Sequence, residues 1–305
     1  MIKIGMIGLS EGNGHPYSFS AIINGYDDKN MSTSGWNNIY MYLNERDASD
    51  FGVLGAKVVY VWTQDVQESR KIAKASKIDN VLEKYEDMID DIDAVIIARD
   101  DYGSHKKIAK PFLEAGKYVF IDKPLSLDID ELIYFKPFLE LGQLVSCSSV
   151  KYALELDKIK RDIKNFGKIK LVRGTTIRNW EKYAIHILEG IFSVIPFNVK
   201  SIRYNNSNHE SFTIFNHDCS IIEIDALGDG ELALRLEFFS NTQYYRADIL
   251  NSFDSFRRTL WHFVNMVKNK KISNDLLTID LMRILIAGNI SKDSNRAVEL
   301  DSLRI

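Results

Sequence analysis

Five short, uninterrupted apolar runs, spaced through the first half of the chain with helical patterns between them, leave few folds open. Ile2 to Ile7, Lys57 to Trp62, Ala94 to Ala98, Tyr118 to Ile121 and Leu144 to Ser148 are of the kind found in strands covered on both faces. Between them Val66 to Ser76, Lys106 to Ala115 and Ile129 to Leu141 carry helical spacing, and Gly116 and Gly142 close two of these. Alternation of this kind builds an α/β fold around a doubly wound parallel sheet. Residues 1–149 are expected to form that domain.

After Val150 the rhythm changes. A helix is expected near Leu154 to Asn165, a strand at Lys168 to Thr176 and a helix at Tyr183 to Val194. Strands follow near Val199 to Tyr204, Phe212 to Asn216, Ser220 to Leu227, Glu231 to Phe239 and Gln243 to Leu250. Turn signals such as Gly228-Asp229-Gly230 and Ser240-Asn241 separate some of them, the pattern of an antiparallel meander. Two amphipathic helices, Phe253 to Asn269 and Asp275 to Ile290, finish the chain. Residues 150–305 are expected to form an α+β domain with an open, mostly antiparallel sheet backed by helices. The polar and aromatic segment Gly25 to Gly52, with Trp36, Tyr40 and Tyr42, fits neither rhythm and delays the second strand beyond ordinary loop length. It is either a lid or substrate wall, or an element of packing and assembly.

With 45% hydrophobic and 27% charged residues over 305 positions the chain can bury a large core, so disorder is excluded as a default. A net charge of -3 and the absence of long like-charge runs argue against a nucleic-acid partner. No stretch approaches the roughly 20 apolar residues of a membrane span, and the first residues read as a strand rather than a leader, so the expected compartment is the cytoplasm. Cys147 and Cys219 have no metal-ligand spacing and are read as reduced, buried thiols; no metal is expected.

The chemistry-bearing residues fall at strand ends. The first strand runs into Gly8, Ser10, Asn13, Gly14, His15 and Pro16. A glycine turn between a first strand and a helix suits a pyrophosphate, because bare backbone and helix N–H groups can approach it. This makes the first domain a candidate dinucleotide-binding (Rossmann) domain, although Ser10 stands where a second glycine is expected and the turn is about two residues long for the motif. His15 either binds phosphate or begins a helix. At the second strand end Thr63, Asp65 and the nearby Arg70 leave NAD and NADP both open. Arg99, Asp100 and His105 follow the third run and are placed on the cofactor side, with capping and packing as the other account of His105.

The fourth run delivers Asp122, Lys123 and Pro124 to a strand end, where open α/β sheets place their chemistry. Lys123 can hold a reacting oxygen and stabilise the charge that develops there during hydride transfer. A histidine suits the accompanying proton exchange. His186 lies in the helical stretch Tyr183-Ala184-Ile185-His186-Ile187-Leu188-Glu189, with Lys182 and Glu189 a turn away on either side. On its own a histidine among Ile and Leu reads more often as a core residue.

Ala115-Gly116-Lys117-Tyr118-Val119-Phe120-Ile121-Asp122-Lys123-Pro124 resembles the A-G-K-H-V-x-x-E-K-P signature of the Gfo/Idh/MocA oxidoreductases, with aspartate for glutamate. Asp93 to Ala98 followed by His105 resembles the family's strand and N-P-x-x-H segment, with Asp100 and Asp101 in place of Asn and Pro. Gly167-Lys168-Ile169, His186-Ile187-Leu188-Glu189 and Phe256 through Leu300 resemble the opening, histidine segment and closing helices of the second domain. The resemblance extends over nearly the whole chain. It implies an NAD- or NADP-dependent enzyme transferring hydride between nicotinamide and a hydroxyl-bearing carbon of a sugar, polyol or sugar nucleotide. It further implies Lys123 and His186 as catalytic residues, Lys182, Tyr183 and Lys123 at the substrate, Asp122 beside the cofactor, and a homodimer or homotetramer. Lys182 stands where the family often has an aspartate, which points to a different and anionic ligand. Two other functions suit the same fold, a non-catalytic nucleotide or sugar sensor and an NAD-dependent glycosidase.

Overall fold

The computed structural model describes residues 1–53, 55–230, 234–270 and 276–305. By contacts the chain forms two compact units: Met1–Ser126 with Ile133–Ser146 and Phe256–Leu276, and Leu127–Leu132 with Cys147–Ser255 and Leu277–Ile305.

In the first unit the strands are β1 (Ile2–Ile7), β2 (Ala56–Trp62), β3 (Asn80–Val81), β4 (Ala94–Ile97), β5 (Tyr118–Ile121) and β6 (Leu144–Ser146). They form one sheet in the order β3-β2-β1-β4-β5-β6, and every pair is parallel. β4 is buried at all four positions, β1 over its last four and β5 over its last three. Each fully buried aliphatic side chain there contributes about 1.5–3 kcal/mol. The order reverses between β1 and β4, so their carboxyl ends flank the crevice in which such sheets bind ligands.

The crossover helices are α1 (His15–Asn24), α4 (Val66–Ala75), α5 (His105–Glu114) and α6 (Ile129–Glu140), the last three close to the predicted bounds. Between α1 and β2 the excursion forms two more, α2 (Asp28–Ser32) and α3 (Asn37–Asn44). It is a packed layer on α1. Met31, Ile39 and Leu43 are buried, Trp36 lies against Gly14 and Tyr17, and the Tyr42 hydroxyl donates to Ser18 Oγ at 2.5 Å.

The second unit carries α7 (Asp157–Asp162), α8 (Trp180–Phe192) and α10 (Leu277–Ser294); α9 (Ser252–Asn269) precedes α10 in the chain. Its strands are β7 (Ile169–Thr176), β8 (Val199–Asn205), β9 (Glu210–Asn216), β10 (Ile221–Ala226), β11 (Leu234–Ser240), β12 (Tyr244–Ile249) and β13 (Val298–Glu299). The sheet order is β12-β11-β7-β10-β9-β8-β13. The expected meander is interrupted, because β7 inserts between β10 and β11 and runs parallel to β10. All the other pairs in this sheet are antiparallel. The residues Glu231, Leu232 and Ala233 of the expected strand, and Asp275 of the last expected helix, lie outside the described residues. The stretch expected as one helix from Leu154 is a 3₁₀ turn, α7 and a second 3₁₀ turn.

Of the two thiols Cys147 is buried as expected, but Cys219 is exposed. It occupies the tight β9–β10 turn at φ 67°, where no core is available to cover it. No helix among the described residues is long and apolar enough to cross a membrane.

Candidate active site

The carboxyl ends of β1, β2, β4 and β5 gather the predicted residues of the first unit. Asp122 follows β5 and is 2% exposed, with Lys123 at 5% beside it. Burial alone would push the Asp122 carboxyl up. The charge of His15 and its hydrogen bond, the charge of Lys123 and the bond from Asn13 outweigh that and hold it well below the usual carboxylate range. Asn13 Nδ2 donates to Asp122 Oδ2 at 2.9 Å, His15 Nδ1 donates to the same oxygen at 2.5 Å, and the Lys123 backbone N–H donates to Oδ1 at 2.9 Å. An ionised acid is thereby fixed between the first turn and the lysine.

The turn after β1 is tied down at both sides. Ser10 Oγ donates to Asp100 Oδ1 at 2.6 Å, and Leu9 is bracketed by Gln64, whose side chain accepts from its N–H and donates to its carbonyl. Gly8 must be glycine because a Cβ there would meet the Pro16 ring at 2.3 Å; at Gly14 a Cβ would strike Trp36 and Ile39. Arg99, after β4, makes a paired contact with Asp101 at 2.8 and 2.7 Å and reaches Gln64 at 3.0 Å.

Thr63 is buried, its hydroxyl donating to the Asp65 carbonyl, while the Asp65 carboxylate caps α4 through Gln67 N–H. Both are engaged locally, and the side chain that crosses from this strand end to the phosphate turn is Gln64. Sequence reasoning passed over Gln64, although it stands between the two residues it chose. His105 is wholly buried with its ring nitrogens on the carbonyls of Leu125 and Arg99, at 2.9 and 3.0 Å. Burial lowers its pKa, and the two carbonyls with the charges of Asp122 and Asp101 act in the opposite sense.

His186 is in the second unit, on α8. Asn179 starts that helix by accepting from Lys182 N–H, so Lys182, Tyr183 and His186 fall within its first two turns. The His186 Nδ1 lies 2.7 Å from Ser148 Oγ, and the Tyr183 ring packs edge-on at 5.2 Å with the Arg178 guanidinium 5.0 Å from its own centroid. Ser148 went unnoticed in the sequence; its position just past the last apolar run was the available signal. Among the described residues no three His, Cys, Asp or Glu side chains are grouped to hold a metal ion.

A parallel sheet with a glycine turn at its switch point and a buried lysine at the end of β5 is the arrangement in which open α/β sheets bind ligands at their carboxyl edge. The comparisons are more specific. Residues 2–136 match the Gfo/Idh/MocA model, described as an oxidoreductase family with an NAD-binding Rossmann fold. The fold of the whole chain is shared with solved structures of low identity. One is scyllo-inositol dehydrogenase from Lactobacillus casei with NAD(H) and scyllo-inositol bound, at a TM-score of 0.76 and 16% identity over 99% of each chain. Another is myo-inositol 2-dehydrogenase from Lactobacillus plantarum, at 0.77 and 17% over 98% of this chain and 99% of that one. A third is a probable dehydrogenase from Thermotoga maritima, at 0.76 and 14% over 99% of this chain and 100% of that one. No curated protein matches the sequence.

Proposed function

We propose that this chain is an NAD(P)-dependent dehydrogenase or reductase acting on a hydroxyl-bearing carbon of a sugar, polyol or sugar nucleotide. The observation that carries the proposal is Lys123, buried at the end of β5 beside an ionised Asp122, within a segment that matches an NAD-binding oxidoreductase family. The inositol dehydrogenases that share the fold support the polyol class.

The residues around the first turn suit a dinucleotide. The turn stands at the switch point of the sheet, and at Gly12, with φ 75°, nothing lies within 4 Å of where a Cβ would be, so backbone is open to a ligand. When bound, nicotinamide supplies the hydride acceptor or donor. Lys123 donates a hydrogen bond to the reacting oxygen and stabilises the charge that grows on it. His186, held through Nδ1 by Ser148, exchanges the hydroxyl proton at Nε2. Lys182 and Tyr183 bind the substrate, and the Lys182 ammonium favours an acidic or phosphorylated one.

The test is cofactor reduction or oxidation over a panel of cyclitols, acidic sugars and nucleotide sugars. Lys123→Ala is expected to lower kcat about a hundredfold or more while NADH still binds. A parent protein that binds NADH and turns over nothing on the panel is a sensor, and one that binds neither NADH nor NADPH refutes the proposal.

A further inference from the structure

The start of α1 lacks the donors that a dinucleotide turn ordinarily offers. A helix amino terminus binds phosphate through the N–H groups of its first turn, which have no partner in the helix. Here the first N–H, of His15, is taken by Asn13 Oδ1 at 2.9 Å. The second residue is Pro16, which has none. The third, of Tyr17, is closed back on the Gly14 carbonyl at 3.0 Å. Before the helix three more N–H groups of the turn are engaged, Gly8 with the Trp62 carbonyl, Leu9 with Gln64 and Asn13 with the Ser10 carbonyl. Two buried carboxylates, Asp100 and Asp122, flank the same turn and disfavour an incoming anion.

One group at the turn answers both problems. His15 donates from Nδ1 to Asp122, and its ring is stacked on Phe19 at 4.7 Å and edge-on to Phe256 at 5.0 Å, so its direction is fixed from three sides. Its Nε2, on the far side of the ring, has no hydrogen-bond partner among the described residues, and the side chain keeps 21% of its surface in solvent.

We infer that His15, oriented by Asp122, is the pyrophosphate ligand of this chain: its ring Nε2 takes the place of the first-turn backbone donors in holding the dinucleotide's phosphates. The inference rests on the functional reading above and goes further by naming the side chain and the ligand group it meets. Asp122 acts as the positioning residue, and Asn13 braces both by bonding Asp122 through its amide nitrogen and the His15 N–H through its oxygen.

The test titrates the parent chain, His15→Gln and His15→Arg with NADH and with ADP-ribose, which keeps the pyrophosphate and lacks nicotinamide, and follows thermal unfolding of all three. His15→Gln is expected to weaken both ligands about ten- to hundredfold, the worth of one charge-assisted hydrogen bond. His15→Arg is expected to recover most of that loss, because it restores a cation. The parent's affinity is expected to fall more steeply with ionic strength than that of His15→Gln, a comparison that separates charge from packing. Equal binding by the parent and His15→Gln overturns the inference alone. Arginine failing as badly as glutamine at an unchanged unfolding temperature does the same. A parent that binds neither ligand overturns the functional reading and this inference with it.

Discussion

Asp122 shows how one buried charge can order a site and tie it to pH. Its carboxyl lies below the ordinary range in the folded protein, so ionisation stabilises the fold above pH of about 4, the unfolded value. That stabilisation is lost as pH falls through the lower folded value. Asp122→Asn is therefore expected to reduce the unfolding temperature by several degrees at pH 7, with the gap to the parent closing as pH drops below about 4. A gap that stays constant into acid would show that the charge does not matter. A second residue-scale case is Gly288, where a Cβ would come within 2.6 Å of Trp180. That indole cannot retreat, being stacked on Phe212 at 3.9 Å and bonded to the Leu285 carbonyl. Gly288→Ala is expected to destabilise by about 1–3 kcal/mol in chemical denaturation, the cost of overpacking. Of these features the sequence made Lys123 and Asp122 visible, since a strand end and a proline mark them locally. The bond from His15 to Asp122 spans 107 positions, and no local pattern announces it.

At the scale of elements, the β/α alternation was readable because each crossover must return to a parallel strand, and that imposes apolar runs and helix ends at regular intervals. What escaped was whatever depends on pairing. The two-residue β3 is a strand only because Tyr60 and Val61 offer it an edge. The insertion of β7 beside β10 follows from the fold of the second unit, and a turn-to-turn reading supplies only hairpins. The excursion between α1 and β2 escaped for another reason. Its core positions Met31, Ile39 and Leu43 are few and scattered among Asn, Ser and Tyr, so the segment reads as a loop although the last two share a helix face. As a packed layer, α3 is expected to exchange its amide hydrogens about as slowly as α1, where a lid would exchange quickly. Leu43→Ala is expected to cost about 2–5 kcal/mol by leaving a cavity on α1. Fast exchange across 37–44, or a stability cost near zero, would return the segment to the role of a mobile wall.

For the whole molecule, the expected assembly rests on the second unit's sheet, whose two faces differ in character. One face buries Val172, Phe212, Ile222, Ile224, Leu236 and Phe238, and α8 packs across β7, β10 and β11. On the other, register aligns Arg203, Thr213, Glu223, Arg173, Glu237 and Arg246 in one row across six strands, with Arg173 bonded to Glu223 at 2.8 Å. Such a row can stand in water, but its alternating signs also allow an antiparallel copy to face it, as a two-fold interface requires. If copies of the chain associate through this face, the unfolding temperature rises with protein concentration, because association stabilises only the folded state. Arg173→Glu puts three acids side by side in the row and leaves the apolar face untouched. It is expected to shift the mass measured by light scattering from a multiple of the chain to a single copy, while the parent dissociates only at high salt. A parent of single-chain mass over the whole concentration range, with an unfolding temperature that does not move, would show that the row is a solvated surface and that the chain acts alone.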